Sequence, residues 1–576
     1  MAGFALAAFW RNEQVAEANR QLTQLCEYFI ASRAARNGVN NFYWWTNLVV
    51  RAIKFFGREG SMAPGRLSSG TEDAAYEMMW LWVKEYSLIA QTVIHPDYWY
   101  VRESENHHLQ GITAAWSFCD LLLSVPRYRD QSLDDGYSVA EHFVAWTAFV
   151  KYYFASRAKR GIFVETASDY NSIALKGVYD FYDFAADPEL KRKAGMFLDL
   201  YWASWAQEQL DGVRGGGRAR TYSGDSTHGD DPYRRLAWFY MKMGSPVSLA
   251  RPDELGFLTS SYRMPAIVMA LALDREERGV YEIKQWPLGL AEPGYYSPGS
   301  GYRLKTDAGG IYRYSYCTPD FILGTLMFEA RPEDAWVMIS SQNRWQGVIF
   351  EGNIDARIYP VPQPLAGAHN REYNSWWSAQ SRGTLITQRL DTSIGTGPMQ
   401  VWFSKAGLDR RIEQGGWVFT AAPSAYAAVR VVQGKTRWEE AKSSHRGGSE
   451  GDWLVCDDPN AAVILEVAQK SSFADYEAFQ QKILKQPVNL TNGELTYTSI
   501  YGDTFNFDCA PRQDARSNGG EGFQSLASQS PRINGQLPDY SPRMSIESPF
   551  VDAGWNTGVV EIREGSRRLT LDFNRA

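Results

Sequence analysis

Tyr100-Val101-Arg102-Glu103-Ser104-Glu105-Asn106-His107-His108-Leu109-Gln110 sets two adjacent imidazoles, an amide, carboxylates and a guanidinium directly ahead of an apolar periodicity. Leu109, Ile112, Trp116, Cys119 and Leu123 recur at spacings of three and four, the mark of one buried helix face. Ser104 is a good N-cap, because its hydroxyl can accept from the unpaired amides of a first turn. Glu105, Asn106 and His107 then fall in that turn, held by a rigid element and reachable by a ligand. A single histidine in such a place is more often a satisfied core group; the clustering here favours function.

Working outward, the period stays helical to about residue 290. Asn12 to about Arg36 is amphipathic, and a helix follows from Phe42 with Trp44 and Trp45 near its start. Ser69-Gly-Thr-Glu72 and Ser138-Val-Ala-Glu141 read as capping boxes. Further helices are expected from Tyr170 to Phe184, from an Asp187-Pro188 start to about Leu210, over Pro232–Met243 and over Pro265–Ala272. Helix pairs joined by short loops, with polar clusters in alternate loops, predict hairpins winding into a toroid. No fixed-period repeat is present, so a standard solenoid is not supported.

Beyond about residue 300 short alternating runs replace the long amphipathic ones. Gly416–Thr420 and Ala425–Val432 flank an Ala-Pro-Ser turn, Ala461–Val467 is an apolar strand, and Leu495–Ile500 meets Thr504–Phe507 at Tyr501-Gly-Asp503. Val559–Arg563 and Arg568–Phe573 form a hairpin around Glu564-Gly-Ser566. Helices followed by strands predict separate domains. The fold class is α+β multidomain: an (α/α) toroid over residues 1–300, then an antiparallel β-sandwich region over 301–576, with the loop Pro293–Gly301 at the boundary.

The length of 576 residues requires more than one core. A net charge of −7 argues against general nucleic-acid binding. The aromatic share of 14%, with 21 Trp and 32 Tyr, raises the expectation of sugar handling. The five scattered cysteines form no CxxC pair, so neither a zinc ribbon nor a disulfide framework is indicated, and Cys119 is expected as a buried small hydrophobe. No apolar run is long enough for a membrane span. Met1–Trp10 lacks a basic leader and is short for a signal peptide; the chain reads as cytoplasmic, or as secreted or periplasmic where a targeting segment has been removed. Oligomeric state is not legible.

Three more loops carry chemistry. Gly161–Tyr170 contains Glu165 and leads into a helix at Tyr170. Gly212–Pro232 holds a glycine run with Arg218, Arg220, Tyr222, Asp225, His228, Asp230 and Asp231. Glycines let backbone approach a ligand closely, and the arginine forks suit carboxylate or sulfate. The bland alternative is a solvated loop with an Asp-capped helix at Pro232. Tyr312–Asp320, with Tyr316, is the third. His107, His108, His228, Glu165, Asp225 and Asp230 are adequate metal ligands but lack HExxH-like spacing, so no catalytic metal is expected; a structural divalent ion is compatible with the inventory.

An Asn-His pair at a helix start, then a distant Tyr and His among arginines, then a β-sandwich, resembles the toroid-type polysaccharide lyases, in particular the heparinase II/III-like and alginate-lyase-like group. The resemblance covers nearly the whole chain in architecture, through short and divergent motifs. It implies that Asn106 and His107 contact a uronate carboxylate while Tyr222 or His228 moves protons. Elimination fits the inventory: removing the proton α to a carboxylate builds enolate charge that Asn106 with Arg218 or Arg220 can meet, with His107 or His228 as base and Tyr222 as acid. His108, Tyr170, Trp44, Trp45 and Tyr316 are candidate sugar contacts. No cofactor is required, and the expected partner is an acidic poly- or oligosaccharide. The alternative is a glycoside hydrolase of similar shape, using Glu165 with Glu105, Asp225 or Asp230 as the second carboxylate. A glycan-binding protein without turnover is a third class, less favoured because three loops are dense in titratable groups.

Overall fold

The computed structural model describes residues 1–37, 42–245, 251, 254–295, 301–306, 309–329, 331, 335–362, 376–389, 397–409, 411–442, 449–509 and 531–576. Five helices form an inner ring: Ala2–Arg11, Phe42–Phe56, Glu105–Leu123, Tyr170–Phe184 and Glu254–Leu258. Each touches the next, and the last returns to the first. Val15–Ala31, Ser69–Tyr86, Val139–Ala158, Pro188–Ala206 and Ala266–Leu273 lie outside them. This is the toroid of hairpins expected from the sequence.

Local chemistry sets several helix ends. Ser138 and Glu141 make the full capping box, and Asp187 accepts from the Leu190 amide ahead of Pro188. At the next expected box the cap is Ser68 rather than Ser69, accepting from Thr71. The expected Asn12–Arg36 helix is broken: Asn12 takes a left-handed conformation (φ 57°) that ends Ala2–Arg11, and Val15–Ala31 and Arg33–Asn37 follow. Ala2–Arg11 is itself an inner helix, with Ala5, Leu6 and Phe9 fully buried. In Glu105–Leu123 the expected face holds, with Leu109, Ile112, Trp116 and Cys119 buried. Its neighbour approaches through Gly177, where a Cβ would stand 2.2 Å from Thr113 Oγ1.

The second half is layered. Among the described residues a twelve-stranded antiparallel sheet begins at Tyr281–Gln285 in sequence and ends in the hairpin Val559–Glu564/Arg567–Asp572. A six-stranded sheet packs on it through Phe321, Leu323, Ile358, Val401, Leu465 and Val467. The outer face of that second sheet is covered by a four-stranded sheet and the helix Tyr476–Leu484, through Leu495, Tyr497, Phe505 and Phe479. The sandwich expectation holds, with this third layer added. Residues 296–300 of the expected boundary loop lie outside the described residues. The sheet itself opens earlier than residue 301, at Tyr281. All five cysteines are buried and unpaired, and no helix among the described residues is long and apolar enough to cross a membrane.

Three of the joins between the two halves position the site. Tyr98–Val101 pairs antiparallel with Tyr302–Lys305, tying the strand just before the organising helix to the β half. Ile546, Val551, Val560, Ile562 and Leu571, from the end of the chain, complete the hydrophobic core of the helical ring. The third join is the glycine run. Sequence reading offered Gly215–Gly217 as a cradle for a ligand; here they approach the sheet instead. A Cβ at Gly215 would lie 2.6 Å from Ile322 Cγ2, at Gly216 2.2 Å from Arg313 Nη2, and at Gly217 2.3 Å from the Thr325 carbonyl carbon. Under them Arg313 pairs with Glu208, both 1% exposed, and donates to the Gly217 carbonyl. Gly217→Ala must displace backbone and should cost about 1–3 kcal/mol. Chemical denaturation of wild type and variant checks this, and an unchanged midpoint would contradict the contact.

Candidate active site

The site is built on the open end of the Glu105–Leu123 helix. Glu103 stands in a left-handed conformation (φ 62°), turning the chain sharply from the strand Tyr98–Val101 into the helix. Ser104 is the N-cap by position, but its side chain makes no cap bond. Its hydroxyl donates to Asn106 Oδ1 at 2.7 Å. The expected cap is instead a device that orients the amide.

Glu105 and Glu165 are each 1% exposed and hold each other's backbone. The Glu105 amide donates to Glu165 Oε1 (3.3 Å), and the Glu165 amide donates to Glu105 Oε2 (2.7 Å). Two buried carboxylates repel unless cations arrive. Arg157 pairs with Glu105, and Arg220 pairs with Glu165 at 2.8 Å. Burial pushes the Glu165 carboxyl up to about 7, while Arg220 pulls against it.

Arg220 is the hub. It takes a left-handed backbone conformation (φ 57°), and its backbone N–H donates a hydrogen bond to the Gln342 carbonyl (2.8 Å). One nitrogen, Nη1, donates both to Asn106 Oδ1 (3.0 Å) and to Glu165 Oε1. The guanidinium lies 3.8 Å from the Tyr170 ring centre, and Tyr222 is among the groups that act on its charge. The Tyr170 and Tyr222 rings stand edge to face with centres 6.1 Å apart, and burial raises the Tyr170 hydroxyl well above the ordinary phenol range. Since arginine only donates, Asn106 must turn its oxygen to Arg220 and its NH2 away. That Nδ2 is buried with no hydrogen-bond partner. His107 follows, its Nδ1 likewise unpartnered and its ring edge-on to Trp44 at 5.7 Å. Burial, helped by Arg220, lowers His107 to about 4, so the imidazole is neutral at neutral pH. His108 faces the other way, accepting from the Arg102 amide through Nδ1 (3.3 Å).

The sequence-predicted residues therefore divide. Asn106, His107, Glu165, Tyr170, Arg220 and Tyr222 converge around one guanidinium, with Trp44 against His107. Arg218 and His228 stand in a neighbouring cluster. Arg218 lies 4.3 Å over Trp345, with Nε and Nη2 unpartnered, and the charges around it are Asp169, Asp231, Asp225 and Arg214. His228 accepts from the Asp230 amide, and burial and Arg357 lower it. Its Nε2 stands 4.0 Å from Asp225. Trp45 packs on the helical core. Tyr316 is not brought to the site: its ring sits between the β layers against Phe321 and Tyr501, because alternation along Ile311–Cys317 turns it to the sandwich. Arg157 was missed. It lies at the end of an amphipathic helix where an arginine carries no special signal, 52 residues from the carboxylate it neutralises. Among the described residues no three His, Cys, Asp or Glu side chains are grouped to hold a metal ion.

Among solved structures the chain is similar to chondroitin AC lyase of Streptomyces coelicolor A3, solved with chondroitin sulphate. The match covers 99% of this chain and 84% of that one, at 9% identity and a TM-score of 0.44. No family model and no curated protein matches the chain.

The buried imidazoles link the site to stability. Burial lowers His108 to about 3, so the folded chain refuses a proton that the unfolded chain takes up near pH 6.5. This contribution is complete above pH 6.5 and is lost as pH falls toward 3. By pH 5 the loss is about 2 kcal/mol. Asp180, Asp199 and Glu466, raised by burial to about 7, run with the opposite sign, so the readout is a difference. Between pH 6.5 and 5, wild type should lose about 2 kcal/mol more unfolding free energy than His108→Gln. Parallel pH curves for the two proteins would refute the assignment.

Proposed function

We propose that this chain cleaves a uronate-containing poly- or oligosaccharide by β-elimination at the Asn106–Arg220 site. The observation that carries the reading is the Arg220 hub, which orients an amide with a free NH2 and a tyrosine pair with one charge. Asn106 Nδ2 and the neutral His107 ring supply donors for the substrate carboxylate, so charge arriving there as the enolate forms is met without reorganisation. An imidazole held near 4 is a weak base, which turns the proton transfers over to the tyrosines. Tyr222, entering the step as its phenolate beside the Arg220 guanidinium, takes the proton from the carbon α to the carboxylate; the electron pair forms the C4–C5 double bond, and the C4–oxygen bond breaks. The departing oxygen takes that proton back from the Tyr222 hydroxyl, which restores the phenolate. No oxidant, reductant or cofactor enters this balance.

Hydrolysis is less well supported. Glu105 and Glu165 are nearly solvent-free and are bound to each other's backbone and to arginines, whereas hydrolases set two carboxylates on either side of the scissile bond. One observation keeps the reading in view: Glu165 is raised to about 7 and its Oε2 has no hydrogen-bond partner, as suits an acid. The test is a panel of uronate glycans followed both by near-ultraviolet absorbance of unsaturated uronate and by reducing ends. Both signals should rise together. Tyr222→Phe and Asn106→Ala should each lower kcat/KM by roughly a hundredfold or more. Glu165→Gln, whose amide oxygen can still accept from Arg220, should stay within about tenfold of wild type. Reducing ends without absorbance, abolished by Glu165→Gln, would replace elimination with hydrolysis.

A further inference from the structure

Against His108 lies a cavity of about 230 Å³. Its walls are the aromatic side chains of Tyr98, Trp99, Tyr100, Phe149, Tyr152 and Tyr153. It lies between the strand Tyr98–Val101 and the Val139–Ala158 helix, with exposed Val93 at its rim. Two buried polar atoms of its lining, Tyr153 Oη and His108 Nε2, have no hydrogen-bond partner. Tyr153 is 4% exposed. Buried polar groups are paired in the great majority of cases, so two orphans in one cavity wall point to a ligand that completes them.

Charge narrows the class. Arg157 lies over Trp99 at 3.9 Å and Tyr153 at 4.8 Å, so a cationic ligand would meet a guanidinium already seated on those rings. That guanidinium is neutralised by Glu105, which leaves no spare positive charge for an anion. A ligand with flat apolar faces, a rim of hydroxyls and no charge satisfies the aromatic walls and both orphan atoms. We propose that this cavity binds one neutral pyranose ring, distinct from the charged sugar of the Arg220 site. The inference stands apart from the elimination reading, because it concerns binding at residues to which no step of the reaction is given.

The test uses the full chain with N-acetyl-D-glucosamine and D-glucose as probes and D-glucuronate as the charged control. Binding is followed by titration calorimetry and by ligand-observed NMR. A neutral sugar should bind with millimolar or tighter affinity, and the uronate should bind at least tenfold more weakly to the Trp44→Ala protein, in which the first site is impaired. Tyr153→Phe keeps the ring and removes the orphan hydroxyl, and should weaken neutral-sugar binding about three- to tenfold. Tyr98→Ala, at the half-buried wall, should abolish it while leaving the thermal midpoint within a few degrees. Absence of neutral-sugar binding at 50 mM, or binding lost in Trp44→Ala but kept in both tyrosine variants, overturns the proposal. Failure of the elimination assay alone leaves these outcomes unchanged, so the two readings fail separately.

Discussion

Two carboxylates buried within reach of each other's backbone form the constraint around which the site is arranged. Glu105 begins the central helix and Glu165 lies on the loop before the next inner helix; each accepts the other's amide. In a low dielectric this pair is untenable without two cations, and Arg157 and Arg220 come from opposite sides of the chain to supply them. Once Arg220 is drawn in, it has donors and a flat face left over. Those fix the Asn106 amide and the two tyrosines. The polar geometry that a substrate would meet is thus a by-product of neutralising a buried charge pair.

The same logic explains why the loop 212–222 is so rich in glycine and arginine. Arg220 reaches the helix end only if the chain crosses the first strands of the large sheet at near contact, and side chains at 215–217 would hold it off. Arg218 and Trp345 exchange backbone hydrogen bonds just beyond the crossing, and Arg220 and Thr221 continue the contact with Gln342 and Asn343. The β half therefore braces the loop that carries the hub, and the strand pair Tyr98–Val101/Tyr302–Lys305 braces the helix start opposite it.

What could be read from sequence was what local chemistry decides. Tyr170–Phe184 has its expected ends, Asp187 and Ser138 cap as their side chains dictate, and the face through Leu109 and Trp116 is buried. Asn106 and His107 were legible as a candidate pair because an amide, two imidazoles and carboxylates cluster at the start of one apolar helix. The glycine run was legible as a place of close approach, but nothing local says what approaches. Ser104 was assigned the commonest task of an N-cap serine, while a side-chain acceptor two residues on claimed its hydroxyl. Arg157 and the strand Tyr281–Gln285 were missed because their partners lie far along the chain, and charge pairing or strand pairing over such separations leaves no periodic trace. Tyr316 was included for its neighbours in sequence, and pleating turns it into the sandwich against Phe321 and Tyr501.

The last hairpin has a consequence for the order in which the molecule can be made. Ile562 and Leu571 sit in the core of the helical ring, whose first helix starts at Ala2. Asn556 donates to the Lys159 carbonyl, and Arg192 reaches the Arg575 carbonyl, in the same seam. On the ribosome the ring must wait, with part of its apolar surface open, until residues beyond 570 have emerged. Until then chaperones and neighbouring chains compete for the gap.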